Sequence, residues 1–322
     1  MSFSIEQWQP SQFSPEEWDE FVLAADNGTI FHERIFLKYH PPERFNDFSL
    51  IIRSKGTIQA ILPAVEWRID KDKTLFSHRG ASYGGFVYKD VSLEQAFGWV
   101  QALKNYSREN GFTRIILTLP PMVYAKHPTN YCDFALLAEG FRYQKRELTA
   151  AVKIPAETDI LAMFKQEART ATRKAEKKGV QVRKTQDYAA YYEVLSHNLM
   201  MRHGVKPTHS LEELLYLAET FPDRIMLHAA YLEERMIAGV VNFYGNSRTM
   251  LGFYISDNKE FQEYRALNLL FYEIFRECAQ NGVEWYDFGT FTLNMQPNFG
   301  LGKFKETFGA RGIFRDTLEI WL

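Results

Sequence analysis

Cysteine is scarce: Cys132 and Cys278 are the only two in 322 residues, and neither has a neighbour at C-x-x-C spacing. Zinc-ribbon and thioredoxin-type chemistry therefore have no support. Long apolar runs are missing as well, so no segment approaches the roughly 20 residues that span a bilayer. The opening Met1-Ser-Phe-Ser-Ile-Glu has neither the basic nor the apolar region of a secretory signal. Together these absences predict a cytoplasmic protein without an integral membrane segment. No sign of charge dominates, since 38 Lys and Arg face 40 Asp and Glu for a net charge of −2. That excludes a globally basic nucleic-acid binder, predicts no DNA partner, and leaves room for a local basic patch. The patterns G-x-S-x-G, Walker A and H-E-x-x-H are all absent. His197, His203 and His209 lie six apart, which suits no common helical metal pair, so neither a metal nor a tightly bound cofactor is expected.

What is present is the material of a large core. Aromatics make up 15% of the chain and hydrophobic residues 46%, which excludes a disordered chain. At roughly 150 residues per domain the length predicts two domains or one large one. The order of signals favours two, because the chain states one arrangement twice. Ser49-Leu-Ile-Ile-Arg-Ser-Lys-Gly-Thr-Ile-Gln-Ala-Ile-Leu-Pro63 and Met226-Leu-His-Ala-Ala-Tyr-Leu-Glu-Glu-Arg-Met-Ile-Ala-Gly-Val-Val241 both read as strand, polar turn, strand. Another strand signal follows each hairpin, then an amphipathic helix (near 93–109 and 266–280), an Asn-Gly stop (Asn110-Gly111, Asn281-Gly282) and a further strand. Asn-Gly suits a helix C-cap, since a left-handed residue there costs glycine little. The fold class is α/β (α+β): two domains, 1–150 and 151–312, each a mixed sheet flanked by helices. The boundary falls near 148–158, where Leu148-Thr-Ala-Ala-Val-Lys-Ile154 reads as a short strand before a helix starting around Thr158-Asp159.

Three places could carry chemistry. The run 165–184 holds Lys165, Arg169, Arg173, Lys174, Lys177, Lys178, Arg183 and Lys184 against only Glu167 and Glu176. On a helix Arg169, Arg173 and Lys177 form one stripe at i, i+4 and i+8. Such a stripe is either a solvated face or a site for phosphates of a nucleotide-linked substrate, a coenzyme or tRNA. A second place is the helix entry around Arg265, where free backbone N–H groups suit an anion. The third is Asp287 near a strand end, followed by a Gly-rich stretch bearing Lys303, Phe304 and Lys305. Asp287 could accept an amine proton and Lys305 could stabilise an oxyanion, or they could be a turn cap and a surface charge. On the first reading, Lys305→Ala lowers turnover with little loss of fold. In the first half, Tyr83-Gly84-Gly85 loosely suggests a phosphate cradle or a tight turn.

Arg173-Lys-Ala-Glu-Lys-Lys-Gly-Val180, Ile237-Ala-Gly-Val240, Asn281-Gly-Val-Glu-Trp-Tyr-Asp-Phe-Gly289 and Gly302-Lys-Phe-Lys-Glu-Thr-Phe-Gly309 stand in the order seen in FemABX peptidyltransferases. The sequence resembles that family over most of 150–322, with Gly300-Leu301, Phe304-Lys305 and Phe308-Gly309 matching its last motif. The resemblance implies two tandem GNAT-like domains of the compact, armless type, with the tail 313–322 returning to the first. It also implies amino-acid transfer from aminoacyl-tRNA to an amine of a peptidoglycan precursor, UDP-linked or lipid-linked, with peripheral membrane contact. By position Lys305 corresponds to the family lysine implicated in catalysis. Arg173, Lys174, Lys177, Arg265, Lys303, Phe304 and Tyr83-Gly84-Gly85 are then the substrate-binding candidates. GNAT enzymes that use acetyl-CoA commonly carry glycines at the helix entry; 262–268 has none, which weighs against an acyl-CoA donor. Acyl-CoA-dependent N-acylation and non-catalytic binding of a nucleotide sugar or RNA are the alternatives.

Overall fold

A computed structural model describes residues 2–322 apart from 42, 157–158 and 204–205, with side chains 201–203 also outside the description. In chain order the first half contains β1 (Ser4–Gln7), α1 (Pro15–Ala24), α2 (Arg34–Leu37), β2 (Asn46–Asp47), β3 (Leu50–Ser54) and β4 (Thr57–Leu62). It continues with β5 (Val65–Ile69), β6 (Asp72–Ser77), β7 (Val87–Tyr88), α3 (Leu93–Glu109), β8 (Arg114–Thr118), α4 (Tyr131–Ala138) and β9 (Arg142–Lys153). The second half opens with α5 (Ile160–Met163), α6 (Gln166–Lys177), β10 (Val180–Thr185), α7 (Tyr188–His203) and α8 (Leu211–Thr220). Then come β11 (Ile225–Leu232), β12 (Arg235–Tyr244), β13 (Thr249–Asp257), α9 (Ala266–Gln280) and β14 (Trp285–Thr290). A small hairpin of β15 (Thr292–Leu293) and β16 (Gln296–Pro297), α10 (Phe299–Glu306) and β17 (Arg311–Trp321) complete the chain. Two compact units result: Met1–Leu148 with Phe314–Leu322, and Thr149–Ile313.

The first unit has a four-stranded sheet β1-β3-β4-β7 and a second set of strands in which β17, β8, β6, β5 and β2 are neighbours. Strand alternation buries both faces of the smaller sheet. Leu50, Ile52, Ala60 and Leu62 join Trp99 and Leu103 of α3, while Ile51, Ile61 and Val87 meet Trp18 and Phe21 of α1. Here the repeat departs from its sequence reading, because three strands rather than one separate hairpin from helix, and β3–β4 does not share a sheet with β8. Pro63 supplies the reason: lacking an N–H, it cannot continue the ladder of β4, and the chain crosses to β5.

The second unit keeps its repeat in one sheet, ordered β10-β11-β12-β13-β14 with residues 149–153 of β9 at the end. Helices α6 and α9 bury Ala168, Ala175, Leu270 and Ile274 on one face with Ala238, Val240, Met250 and Phe288. Tyr191 of α7 lies over Gly239, where a Cβ would come within 2.5 Å of its ring. The strand read at 148–154 begins earlier, at Arg142, because its first half is polar and has no apolar alternation to reveal it. Asp159 caps α5 through the Leu161 N–H at 2.9 Å; Thr158, where the sequence also places this helix start, lies outside the described residues.

Candidate active site

The two parallel strands β13 and β14 pair only over Thr249–Leu251 and Trp285–Asp287. Beyond that point β13 runs on to Asp257 and β14 to Thr290 without a shared ladder, so the strands part at their carboxyl ends. A gap of this kind exposes strand edges beside the N-terminus of the following helix, which is where open α/β sheets bind ligands. Gly252 lines it closely, since a Cβ there would sit 2.4 Å from the Tyr286 hydroxyl.

β14 ends in a kink. Its register against β9 shifts between Asp287 and Thr290, and Gly289 takes φ +73°, which a side chain would strain. The kink turns three consecutive carbonyls out of the ladder. Lys305, reaching back from α10, donates to the carbonyls of Phe288, Gly289 and Thr290 at 3.0, 2.8 and 2.8 Å. Asp287, fully buried, accepts from the Gly289 N–H at 2.8 Å and from the Thr149 hydroxyl. Side chains thus hold the Gly289 peptide on both sides. Burial pushes the Lys305 ammonium down to about 8 from its ordinary 10.5, and the carboxylate of Asp287 opposes that fall.

Lys305 is only 3% exposed and all three of its N–H bonds have carbonyl acceptors. The expectation that Lys305→Ala leaves the fold nearly intact is therefore corrected: truncation strands three carbonyls and opens a void. Lys303 is exposed on the same helix, while Phe304 is half-buried and packs edge-on against Phe271 and Phe308 at 6.2 and 5.1 Å.

The entry of α9 follows β13 after a short 3-10 helix over Lys259–Tyr264. Arg265 has φ +58°, a left-handed conformation that suits glycine, and α9 has no side-chain cap. The Arg265 side chain is exposed. Helix α6 lies along α9: Thr172 donates to the Asn268 carbonyl at 3.3 Å, and Lys178 pairs with Glu263 at 2.7 Å. Its basic C-terminal half therefore flanks the start of α9. Lys165, Lys178, Arg183 and Lys184 have carboxylate partners in Glu306, Glu263, Glu234 and Glu277. Among the described residues Arg173, Lys174 and Lys177 make no salt bridge, and all three are exposed.

Tyr83-Gly84-Gly85 belongs to the first unit and its amides are engaged. Gly84 donates to the Thr118 carbonyl at 2.7 Å and Gly85 to the Ser77 hydroxyl at 3.2 Å. A Cβ on Gly84 would meet Ser77 backbone at 2.7 Å, so this glycine permits a close approach within the fold. Tyr83 is buried against Phe31 and Tyr124. The amides of both glycines are thus engaged within the fold.

Several participants escape sequence reading. Thr149 stands 138 residues from the Asp287 it bonds. The buried chain Tyr286–Asn242–His228–Glu277, with contacts of 2.8, 3.0 and 3.0 Å, had no motif to announce it. His209 bonds the Tyr254 hydroxyl at 2.9 Å, and the His203 side chain lies outside the described residues. Among the described residues no group of three or more His, Cys, Asp or Glu is placed to hold a metal ion, and no helix is long and apolar enough to cross a membrane.

Comparison with known proteins fits this geometry. Residues 162–304 match the acetyltransferase (GNAT) domain family. FemX superposes with a TM-score of 0.75 at 14% identity, over 99% of this chain and 97% of its own. A tandem GNAT protein from the clavulanic acid biosynthesis pathway gives a TM-score of 0.56 at 12% identity, covering 99% and 98% of the two chains. L-PGS from Bacillus licheniformis gives 0.59 at 12% identity, covering 95% and 90%. No curated protein matches the sequence. The match to the acetyltransferase (GNAT) domain family covers most of the second unit. The chain as a whole has the fold of FemX and of a tandem GNAT protein.

Proposed function

We propose that this acyltransferase moves an aminoacyl group from the ester of a charged tRNA to an amine of a cell-wall precursor. The observation that carries the reading is the entry of α9. An exposed arginine occupies its glycine-like position, and Arg173, Lys174 and Lys177, which make no salt bridge among the described residues, lie on the neighbouring α6. A side chain there blocks the close backbone approach that a pyrophosphate needs, while adding charge for a large polyanion. The FemABX resemblance and the superposition on FemX agree with that donor.

In the reaction the acceptor nitrogen bonds the ester carbon, a tetrahedral oxyanion forms, and the ribose oxygen departs with the proton the amine releases. Much of the acceleration comes from holding amine and ester in line. Lys305 and Asp287 contribute by fixing the kinked end of β14 and placing a buried positive charge beside it. The edge of β13 beyond Leu251 offers hydrogen bonds to the peptide part of the acceptor.

Acyl-CoA is the second reading, favoured by the acetyltransferase domain match and the uncapped helix. Thermal melting separates the two, with acetyl-CoA, UDP-muramyl pentapeptide and charged tRNA in separate wells. A ligand at about 100 times its dissociation constant adds roughly 2.7 kcal/mol. Shifts with the pentapeptide and charged tRNA are expected. A shift with acetyl-CoA alone overturns the aminoacyl reading.

A further inference from the structure

The ladder between β13 and β14 ends at Leu251 and Asp287, and one side chain marks the fork. Tyr286, fully buried on β14, sits one rung before that end, opposite Met250. Its hydroxyl passes under β13 and donates to the Asn242 side-chain oxygen of β12 at 2.8 Å. Gly252 lets it through: this glycine pairs with Asn242 in the β12–β13 ladder, and a Cβ on it would lie 2.4 Å from the hydroxyl oxygen. One phenol thus ties the outer two of three neighbouring strands at their last common rung. Directly beyond it the β12–β13 register shifts and Phe253 is left without a partner across the ladder, so the bend of β13 begins where the tie ends.

The tie is anchored in turn. Asn242, fully buried, donates from its amide to Nδ1 of His228 on β11 at 3.0 Å. Since that ring nitrogen accepts, the imidazole proton is on Nε2, which donates to Glu277 in the last turn of α9 at 3.0 Å. Lys184 of β10 pairs with the other oxygen of Glu277 at 2.8 Å. The surroundings do not call for polar groups. Phe271, Phe275 and Phe288 ring Tyr286 at centroid distances of 6.0, 5.1 and 5.0 Å, a site that phenylalanine would fill equally well. Taking a hydroxyl, an amide and an imidazole out of water costs free energy unless each is bonded, and a chain bonded throughout holds its strands rigidly.

We propose that Tyr286 pins the fork, its bond to Asn242 fixing how far β13 and β14 part, with Asn242, His228 and Glu277 as positioning residues behind it. The edge so fixed is β13 beyond Leu251, which the proposed function gives to the acceptor, and the effect on transfer rests on that reading. Glu277 acts only through the chain.

Hydrogen exchange of the full chain, followed by mass spectrometry, tests the pin without any activity. Tyr286→Phe keeps the ring and removes the bond. Its amides over 252–257 are expected to exchange about tenfold faster than in wild type, with β10 and β11 unchanged. Glu277→Gln keeps an oxygen for His228 and is expected to exchange like wild type, whereas Glu277→Ala is expected to loosen the same segment. In transfer assays Tyr286→Phe and Glu277→Ala should raise KM for UDP-muramyl pentapeptide about tenfold while kcat stays within about twofold. Wild-type exchange in Tyr286→Phe overturns the pin. So does loosening spread evenly over the sheet, since the chain would then be ordinary core, and so does a Glu277→Gln as damaging as Glu277→Ala. Local loosening in a protein that transfers no amino acid keeps the pin and sinks the transferase reading; a raised KM with unchanged exchange does the reverse.

Discussion

Helices α3 and α9 occupy equivalent places in the two units, and both end at Asn-Gly with glycine left-handed at φ +74° and +71°. Their beginnings differ. α3 opens on Ser92, whose hydroxyl accepts from the Gln95 N–H at 3.2 Å while the Gln95 side chain accepts from the Ser92 N–H at 2.8 Å. That capping box satisfies the end of the helix from within. α9 opens on a left-handed arginine with no side-chain cap. The strand ends differ in the same sense. In the first unit the neutral Ser77 hydroxyl serves the amides of Gly85 and Thr118, both at 3.2 Å. In the second, Lys305 and Asp287 do the equivalent work with buried charge. One copy of the fold is closed by neutral side chains, while the other keeps an uncapped helix entry and a strand end held by buried charge.

Lys305→Ala should break that contrast most severely. Transfer is expected to fall on the order of a hundredfold, and the second unit to lose roughly 2–4 kcal/mol through three stranded carbonyls. The matching truncation in the first unit, Ser77→Ala, should cost about 1–2 kcal/mol and leave transfer unchanged. Steady-state transfer rates and denaturant melts read both effects. If Ser77→Ala abolishes transfer without unfolding, the division of labour between the units is wrong.

Acid and alkali should separate the units further. In the first, burial lowers His32 to about 4 and His78 to about 3 from the ordinary 6.5. The unfolded chain binds these protons first, so stability falls as pH drops from about 6.5, by roughly 3 kcal/mol for His32 alone. In the second unit Glu277 resists acid. Burial would raise its carboxyl, but His228 and Lys184 hold it at about 2, so the stability it brings persists above 4.5 and is lost only as pH falls toward 2. The lowered Lys305 acts at the other end. Between about 8 and 10.5 the unfolded chain binds the extra proton, so its contribution to stability rises with pH while transfer falls as the ammonium is lost. Five of the six tryptophans lie in the first unit and Trp285 alone in the second. A Trp285→Phe variant should therefore report the early acid transition undiminished, and its absence between pH 6 and 4 would refute the assignment.

Local signals carried most of this into the sequence. The bounds of α3 and α9 follow from apolar period and Asn-Gly, and the paired hairpins from alternation around charged turns. Asp287, Lys305 and Arg265 were visible because a strand end, a Gly-rich stretch and a helix entry are each local. What they bond was not. The Thr149–Asp287 contact and the three carbonyls on Lys305 depend on the register shift at Gly289, which no local pattern encodes. The glycines after Tyr83 stayed ambiguous for the same reason: a glycine such as Gly84, which permits close approach to Ser77, reads like one needed for phosphate.

Arg265→Gly inverts the usual trade between stability and binding. Glycine relieves the left-handed backbone, so the melting temperature should rise, by about 1 kcal/mol of stability. Loss of the guanidinium should at the same time weaken charged tRNA about tenfold. Should the variant instead bind acetyl-CoA tightly, arginine is a gate that chooses the donor.

The smallest effect belongs to the closed helix. Ser92→Ala removes one half of the capping box and should cost about 1 kcal/mol, close to the gain at Arg265 but opposite in sign. Because α3 has no open end to lend a ligand, donor affinity should not move, and the double variant Ser92→Ala/Arg265→Gly should melt near wild type, since distant sites add. A change in tRNA affinity on Ser92→Ala alone would mean that the first helix entry also meets the donor, and the two units would then differ in degree rather than in kind.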